Sequence, residues 1–457
     1  MKKIILFLIL IQCSLLFSQT VLATFPLELK KSKEYKQIVN AENTSTHDVF
    51  AFVSDKETLT ILKYNSALFL SNQYSLARPD IAYKVLVGYS FNDDGNPTLY
   101  WSSQNFSKIM AVQYDLNTKT TVAVFSYDLP SFNQSIITQF QENNTFYILS
   151  QKHFEQKLIL YVFKNGKMEE KTLDFGSFKF QNSKNQAITF SKILEVCPIE
   201  KIETNQFNPM FKGTQKTKLY VLKNKLLLTF DHNDNETQAF EIDLATFEIL
   251  KKNIPKTATK NYVSLSNSYY HESKIYQLKV NEEELLFEIK DYKSGETLKS
   301  ITVPKTENIP FKSSPFWLQL AGDRPKELKN TAKFLNQLVY LEVGLTIYKT
   351  PKSILITLGG TGDVQFTDVG QDNTNLGFRN VPTTIYFESV FDKKLDHTKQ
   401  DQEPLAVDFI SRFREEHPEA TIPSIIRYKN YYIMGYYDTY AKQYTMRKFI
   451  DGFDSSL

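Results

Sequence analysis

The segment Asp231-His232-Asn233-Asp234-Asn235-Glu236 sets oxygen-bearing side chains at alternate positions, the way calcium loops present their ligands. A helix-loop-helix calcium site also needs Gly at its sixth position and Glu at its twelfth; here those positions hold Glu236 and Ile242. Both flanks read as strands, so the expected structure is a solvated hairpin turn. Asn92-Asp93-Asp94-Gly95-Asn96 is read the same way. Gly359-Gly360-Thr361-Gly362-Asp363 follows an apolar strand, Ile354 to Leu358. A phosphate-binding glycine loop would lead into a helix whose N-terminal amides face the anion. Here Val364 to Gly370 is extended or loop-like and no Lys-Ser/Thr pair follows. A flexible loop is expected, with ligand contact as the lesser alternative.

Nucleophilic and metal chemistry find little in the chain. There is no Gly-x-Ser-x-Gly elbow, the turn that would lift a serine above a hydrolase sheet. His271-Glu272 lacks the second histidine of a zinc motif, and His47, His153, His232, His397 and His417 do not pair at ligand spacing. Cys197 precedes Pro198 in an apolar context and reads as packing. Carboxylates scattered through a chain can still converge for glycoside hydrolysis, and sequence alone does not pick a set out of 51 acidic residues. No catalytic, cofactor-binding or metal-binding residue is assigned, and no cofactor is expected.

The last hairpin, Arg427 to Tyr444, holds seven tyrosines. In a strand Tyr432, Met434 and Tyr436 face one way, and Tyr431, Ile433 and Tyr437 the other. Two apolar faces mean a strand buried between neighbours; an exposed aromatic row, stacking on sugar rings, is the alternative.

The elements that would position such residues are short strands at regular spacing. Residues 218–251 read as four strands: Lys218 to Leu222, Leu226 to Phe230, Thr237 to Ile242 and Phe247 to Leu250. Residues 263–303 repeat the pattern with a strand near Val263, then Lys274 to Val280, Leu285 to Lys290 and Thr297 to Val303. Residues 83–126 and 136–174 supply two more copies. Their final turns begin at Asp115, Lys164, Asp243 and Asp291, so the spacings are 49, 79 and 48 residues, and residues 175–217 read as an insertion. Asp suits the first turn position because its carboxylate accepts hydrogen bonds from amides two residues on. A lone four-stranded meander leaves one face unburied, and repeats of this length answer that by stacking radially. An irregular β-sandwich or two β-domains would be the alternative.

Tyr89-Ser90-Phe91-Asn92-Asp93-Asp94-Gly95, leading into Thr98-Leu99-Tyr100-Trp101-Ser102, resembles the blade motif of TolB-like propellers, without its proline. The Asp-x-x-Thr/Ser turns at Asp115, Asp243 and Asp291 resemble the outer hairpins of many propellers. The ending Phe17-Ser18-Gln19 is similar to export signals of Bacteroidetes. These resemblances imply a binding or scaffolding platform and no particular ligand.

Beyond about residue 304 the rhythm weakens. Pro325 to Leu338 has apolar residues at helical spacing with Asp323 as cap, and Pro404 to Glu416 has Leu405, Phe409, Ile410 and Phe413 on one face. Strands return between and after them, so 305–457 is either further blades with helical insertions or a small α+β domain. A terminal strand is expected to complete the first blade around Asp48 to Val53.

Lys2 and Lys3, the apolar run Ile4 to Phe17 and the small residues after it form a signal peptide, 1–23, with cleavage after Ser18 or after Ala23. The run is shorter than the ~20 residues a membrane span needs. Removing it leaves one cysteine, so the chain relies on its core rather than on disulfides. The 35 Phe and 26 Tyr suit pleated, half-buried surfaces. A formal charge of +3, reduced to +1 without Lys2 and Lys3, gives no electrostatic case for nucleic acid.

The expectation is an all-β fold: a β-propeller of about six to eight four-stranded blades, with helical insertions near 325–338 and 404–416. Regular blades occupy 24–304. The function expected is a non-catalytic, secreted or envelope-associated platform for a protein or glycan ligand, without nucleic acid and without a transmembrane segment once the signal is removed. A polysaccharide- or peptide-processing enzyme with central carboxylates, and a structural part of an envelope assembly, are the alternatives.

Overall fold

The computed structural model describes residues 19–30, 34–130, 132–260, 264–369, 376–400 and 402–452. The export signal through Ser18, and Val263 and Gly370, lie outside the described residues.

Consecutive strands pair antiparallel with their chain neighbours, as the short turns between them require. The first sheet holds Gln37–Glu42, Val49–Ser54, Thr58–Tyr64 and Leu70–Ala77. The second holds Val85–Phe91, Pro97–Ser102, Lys108–Asp115 and Thr120–Asp128. The third holds Gln134–Glu142, Thr145–Lys152, Lys157–Lys164 and Lys167–Asp174. In each, a middle strand is buried on both faces and the last strand is largely exposed, the burial gradient of propeller blades stacked face to face. The chain is an all-β propeller.

The fourth sheet, Thr217–Leu222, Lys225–Phe230, Glu236–Asp243 and Ile249–Pro255, gains a fifth strand, Ile199–Ile202, which runs parallel to Thr217–Leu222. That strand comes from the stretch read as an insertion, which also forms the helix Phe190–Val196. The fifth sheet holds Leu265–His271, Lys274–Val280, Glu284–Asp291 and Thr297–Pro304. The sixth contains Phe316–Leu320, Lys326–Leu328, Glu342–Lys349 and two sixteen-residue strands, Ile354–Val369 and Leu376–Phe391. The four copies read from the sequence are the second to fifth sheets.

The seventh sheet corrects the expected closure. Ala420–Tyr428, Tyr431–Asp438 and Gln443–Phe449 are completed by Gln19–Pro26, which pairs with Gln443–Phe449. The N-terminal strand thus covers the edge of the last sheet, which would otherwise stand unpaired, and leaves the first sheet to its own four strands. Two compact units result: one holds the first three sheets and the last, the other the fourth to sixth.

Turn chemistry follows the residues predicted for it. Asp115 Oδ1 accepts from the amides of Asn117 and Thr118, Asp243 Oδ1 from those of Ala245 and Thr246, and Asp291 Oδ1 from that of Ser294. Asn165 and Gly166 both take positive φ, the requirement of a tight two-residue hairpin. The helix expected over 325–338 is confined to Thr331–Leu338 and capped by Asn330 rather than Asp323. Lys326–Leu328 pairs with Phe316–Leu318 instead, a tertiary demand that overrides helical spacing. The second expected helix forms as Ala406–Glu416.

Candidate functional site

Between the second and third sheets lies a cavity of about 380 Å³, lined by Asn105, Phe106, Leu129, Pro130, Gln134, Ile136, Ser150 and Tyr161. Three pieces of chain build it: the turn between the middle strands of the second sheet, the connection between the two sheets, and the near strands of the third.

The turn is organised by Asn105. Its Oδ1 accepts from Ser103 Oγ at 2.9 Å, Ser107 N at 3.2 Å and Ser107 Oγ at 2.8 Å. A main-chain amide can only donate, so this fixes the carboxamide with its NH₂ turned away from the turn. Phe106 sits at φ 56°, a conformation costly for an aromatic residue, which holds its half-buried ring over the cavity. The Leu129 amide donates to Ser107 O at 2.8 Å and ties the inter-sheet connection to the same turn.

Gln134 is the second amide. Its Oε1 accepts from Tyr161 OH at 2.9 Å, while the single Ser150 Oγ proton goes to Ser135 O at 3.0 Å, the nearer of its two acceptors, with Gln134 Oε1 at 3.4 Å. Ser150 and Tyr161 are buried at 2% and 1% exposure, so their protons are directed inward. Burial, reinforced by the charge of Glu170, pushes the Tyr161 phenol up to about 12, so it stays a neutral donor. A bulge between Ile136 and Thr138 turns the strand, and Ile136 remains 39% exposed on the rim. The wall therefore offers two carboxamide NH₂ groups on an apolar and aromatic lining, and no ionisable carboxylate, histidine or lysine. It is suited to holding a ligand in place and supplies no general acid or base at neutral pH.

None of these residues was singled out from the sequence. Neutral amides carry no motif. The one available signal was Phe106, a large apolar residue in a turn flanked by Asn105, Ser103 and Ser107, which breaks the rule that turns are polar.

The residues that had been singled out lie elsewhere. Asp231, expected in a solvated turn, is fully buried between the fourth and fifth sheets. Its Oδ1 is 2.9 Å from Lys256 Nζ and accepts from Thr237 Oγ1 at 2.8 Å; its Oδ2 accepts from Ser268 N at 3.0 Å and Ser268 Oγ at 2.7 Å. Lys218 Nζ stands 3.8 Å from Oδ2 and donates to Asn267 Oδ1 at 2.6 Å. Burial raises the Asp231 carboxyl, but Lys256 and Lys218 together hold it well below the usual range. Burial pulls the Lys218 ammonium down to about 7 against the attraction of Asp231. At the shorter distance, Lys256 is the partner that carries the ion pair. The loop fails as a calcium site because its first carboxylate is already saturated by the protein. Among the described residues no group of three or more His, Cys, Asp or Glu is placed to hold a metal ion.

Gly359, Gly360 and Gly362 belong to a sixteen-residue strand, not a flexible loop. A Cβ on Gly359 would lie 1.9 Å from Ile385 O, and one on Gly344, its register partner, 2.4 Å from Gly213 O. The glycines are there for backbone approach. Asn92 caps its own turn, accepting from Asn96 N at 2.8 Å. Cys197 is half-buried and its thiol is pushed up by burial. The tyrosine-rich strand Tyr431–Asp438 is buried through its middle on both faces, as its two apolar rows imply. No helix among the described residues is long and apolar enough to cross a membrane.

No family model matches the chain, and no curated protein does. Solved structures with a similar arrangement include the β-propeller domain of Vanderwaltozyma polyspora Nup133, 12% identical over 93% of this chain and 97% of that one, TM-score 0.32. The Dos1 propeller is 10% identical over 79% and 81%, TM-score 0.30. Prolyl oligopeptidase B from Galerina marginata is 8% identical over 78% of this chain and 46% of that one, TM-score 0.30. The propeller class rests on the strand order and burial already described.

Proposed function

We propose that the chain is a non-catalytic binding module, exported to the cell envelope or beyond it, and that its ligand occupies the cavity between the second and third sheets. The observation that carries this reading is the pairing of Asn105 and Gln134: each has its carbonyl oxygen engaged by the protein and its NH₂ group left to a ligand. At about 380 Å³ the cavity falls in the range of small-ligand sites. Export is supported by Lys2, Lys3 and the apolar run after them. The pairing of Gln19–Pro26 with the last strand favours cleavage after Ser18, because cleavage after Ala23 would remove five of the eight residues of Gln19–Pro26.

The test is an Ile136→Trp variant, which fills the cavity from its exposed rim. The chain and the variant are incubated with pooled neutral oligosaccharides and peptides, and retained molecules are identified by mass spectrometry. Retention of an intact ligand by the natural chain, lost in the variant at unchanged melting temperature, supports the reading. Equal retention by both, or recovery of cleaved products, contradicts it.

A further inference from the structure

We infer that the cavity between the second and third sheets recognises an extended, proline-containing peptide through its main-chain carbonyls. The inference rests on the binding role proposed above and narrows it to one ligand class.

Hydrogen-bond valence selects the ligand. Asn105 Oδ1 already accepts three bonds, and Gln134 Oε1 accepts the Tyr161 hydroxyl proton. The Ser150 and Tyr161 hydroxyls are recessed and directed inward. Asn105 and Gln134 line the cavity from the second and third sheets, and their oxygens are engaged by the protein, which leaves an NH₂ donor on each. A ligand that fits must bring acceptors and few donors.

Sugars match this poorly. Every hydroxyl that offers an acceptor also brings a proton, and a buried donor left without a partner costs about 1–3 kcal/mol. An ordinary peptide has the same difficulty, since each residue brings one N–H with its C=O. Proline alone offers a carbonyl and no N–H. Proline-rich segments also favour the polyproline II helix, whose carbonyls project outward with no internal hydrogen bonds, so little ordering is lost on docking. The remaining wall is Phe106, Leu129, Pro130 and Ile136, apolar surfaces against which prolyl rings pack. An uncharged lining is consistent with a ligand that needs no counter-ion.

The experiment is fluorescence anisotropy with two labelled peptides of about ten residues, one alternating Ala and Pro, the other Ala and Gly. The inference predicts at least about tenfold tighter binding of the Ala-Pro peptide. Asn105→Asp and Gln134→Glu each keep the oxygen that organises the turn or meets Tyr161 while removing the NH₂. Each should weaken binding about tenfold or more at unchanged melting temperature. Ile136→Ser, on the exposed rim, should weaken it independently of either amide. Equal affinity for the two peptides, no binding of the Ala-Pro peptide, or its displacement by a neutral oligosaccharide overturns the proline inference. Unchanged peptide affinity in Ile136→Trp overturns the cavity as the binding site.

Discussion

Asp231 and Lys256 meet at 2.9 Å with 0% and 1% of their side chains exposed, and between them they fasten the fourth sheet to the fifth. The carboxylate also bonds Ser268 and Thr237, and the ammonium bonds Asn233 O and Ser266 Oγ, so every partner is protein. A buried pair of this kind is held in place by the cost of breaking it.

Asp231→Asn leaves two buried ammonium groups facing a neutral amide. It should destabilise the chain by about 3–5 kcal/mol, measured by urea denaturation. Lys218→Met removes the more distant ammonium and leaves the closer pair intact. The two acceptors it served keep other donors, Ser268 N on Asn267 Oδ1 and Asn267 Nδ2 on Gln215 O, so its cost should stay within ~1–3 kcal/mol and below that of Asp231→Asn. Equal effects would contradict the assignment of the pair to Lys256 alone.

Acid should weaken the fold through histidines before carboxylates. Burial pulls His271 down to about 4, and burial also lowers His232, so both are neutral in the folded chain. Unfolded, they bind protons near pH ~6.5. The unfolded state therefore takes up more protons as pH falls from about 6.5 to about 4, and stability is lost across that window. The melting temperature should fall between about pH 7 and about pH 4.5. His232→Phe, between the rings of Phe180 and Phe230, should flatten that fall. A melting temperature that rises on acidification contradicts the assignment.

Gly359→Ala would drive a methyl group into Ile385 O, and Gly344→Ala one into Gly213 O. Backbone cannot rotate aside as a side chain can. Each should cost at least the ~1–3 kcal/mol of an overpacked core site, read as a lowered melting temperature. Gly295→Ala is the control for packing, since nothing lies within 4 Å of its Cβ position and only its φ of +78° is strained.

With the proposed export, the mature chain should begin at Gln19, as read by N-terminal sequencing. A chain beginning at Leu27 exposes the edge of Gln443–Phe449 and should melt lower and aggregate more readily.

The repeats were legible because their signal is local. Alternation within each strand and an Asp or Asn-Gly at the last reversal of each copy depend on residues two to four apart; Asp115 and Asp243 use the amides two residues on, and Asp291 that of Ser294, three residues on. The long strand through Gly359 was missed because three glycines read as flexibility when they mark close approach to Ile385, Leu338 and Leu341. Asp231 was misread because its partners, Lys256 and Ser268, arrive from other strands. The cavity was invisible for the same reason. Asn105 and Tyr161 are brought together only by the stacking of two sheets, and nothing in either local sequence states it.

The proposed ligand sits between the Asn105 turn and the Gln134 strand. Hydrogen–deuterium exchange with and without the Ala-Pro peptide tests it most directly. Exchange should slow at residues 103–108 and 129–136 and nowhere else; unchanged exchange there, with protection elsewhere on the chain, would rule out binding in this cavity.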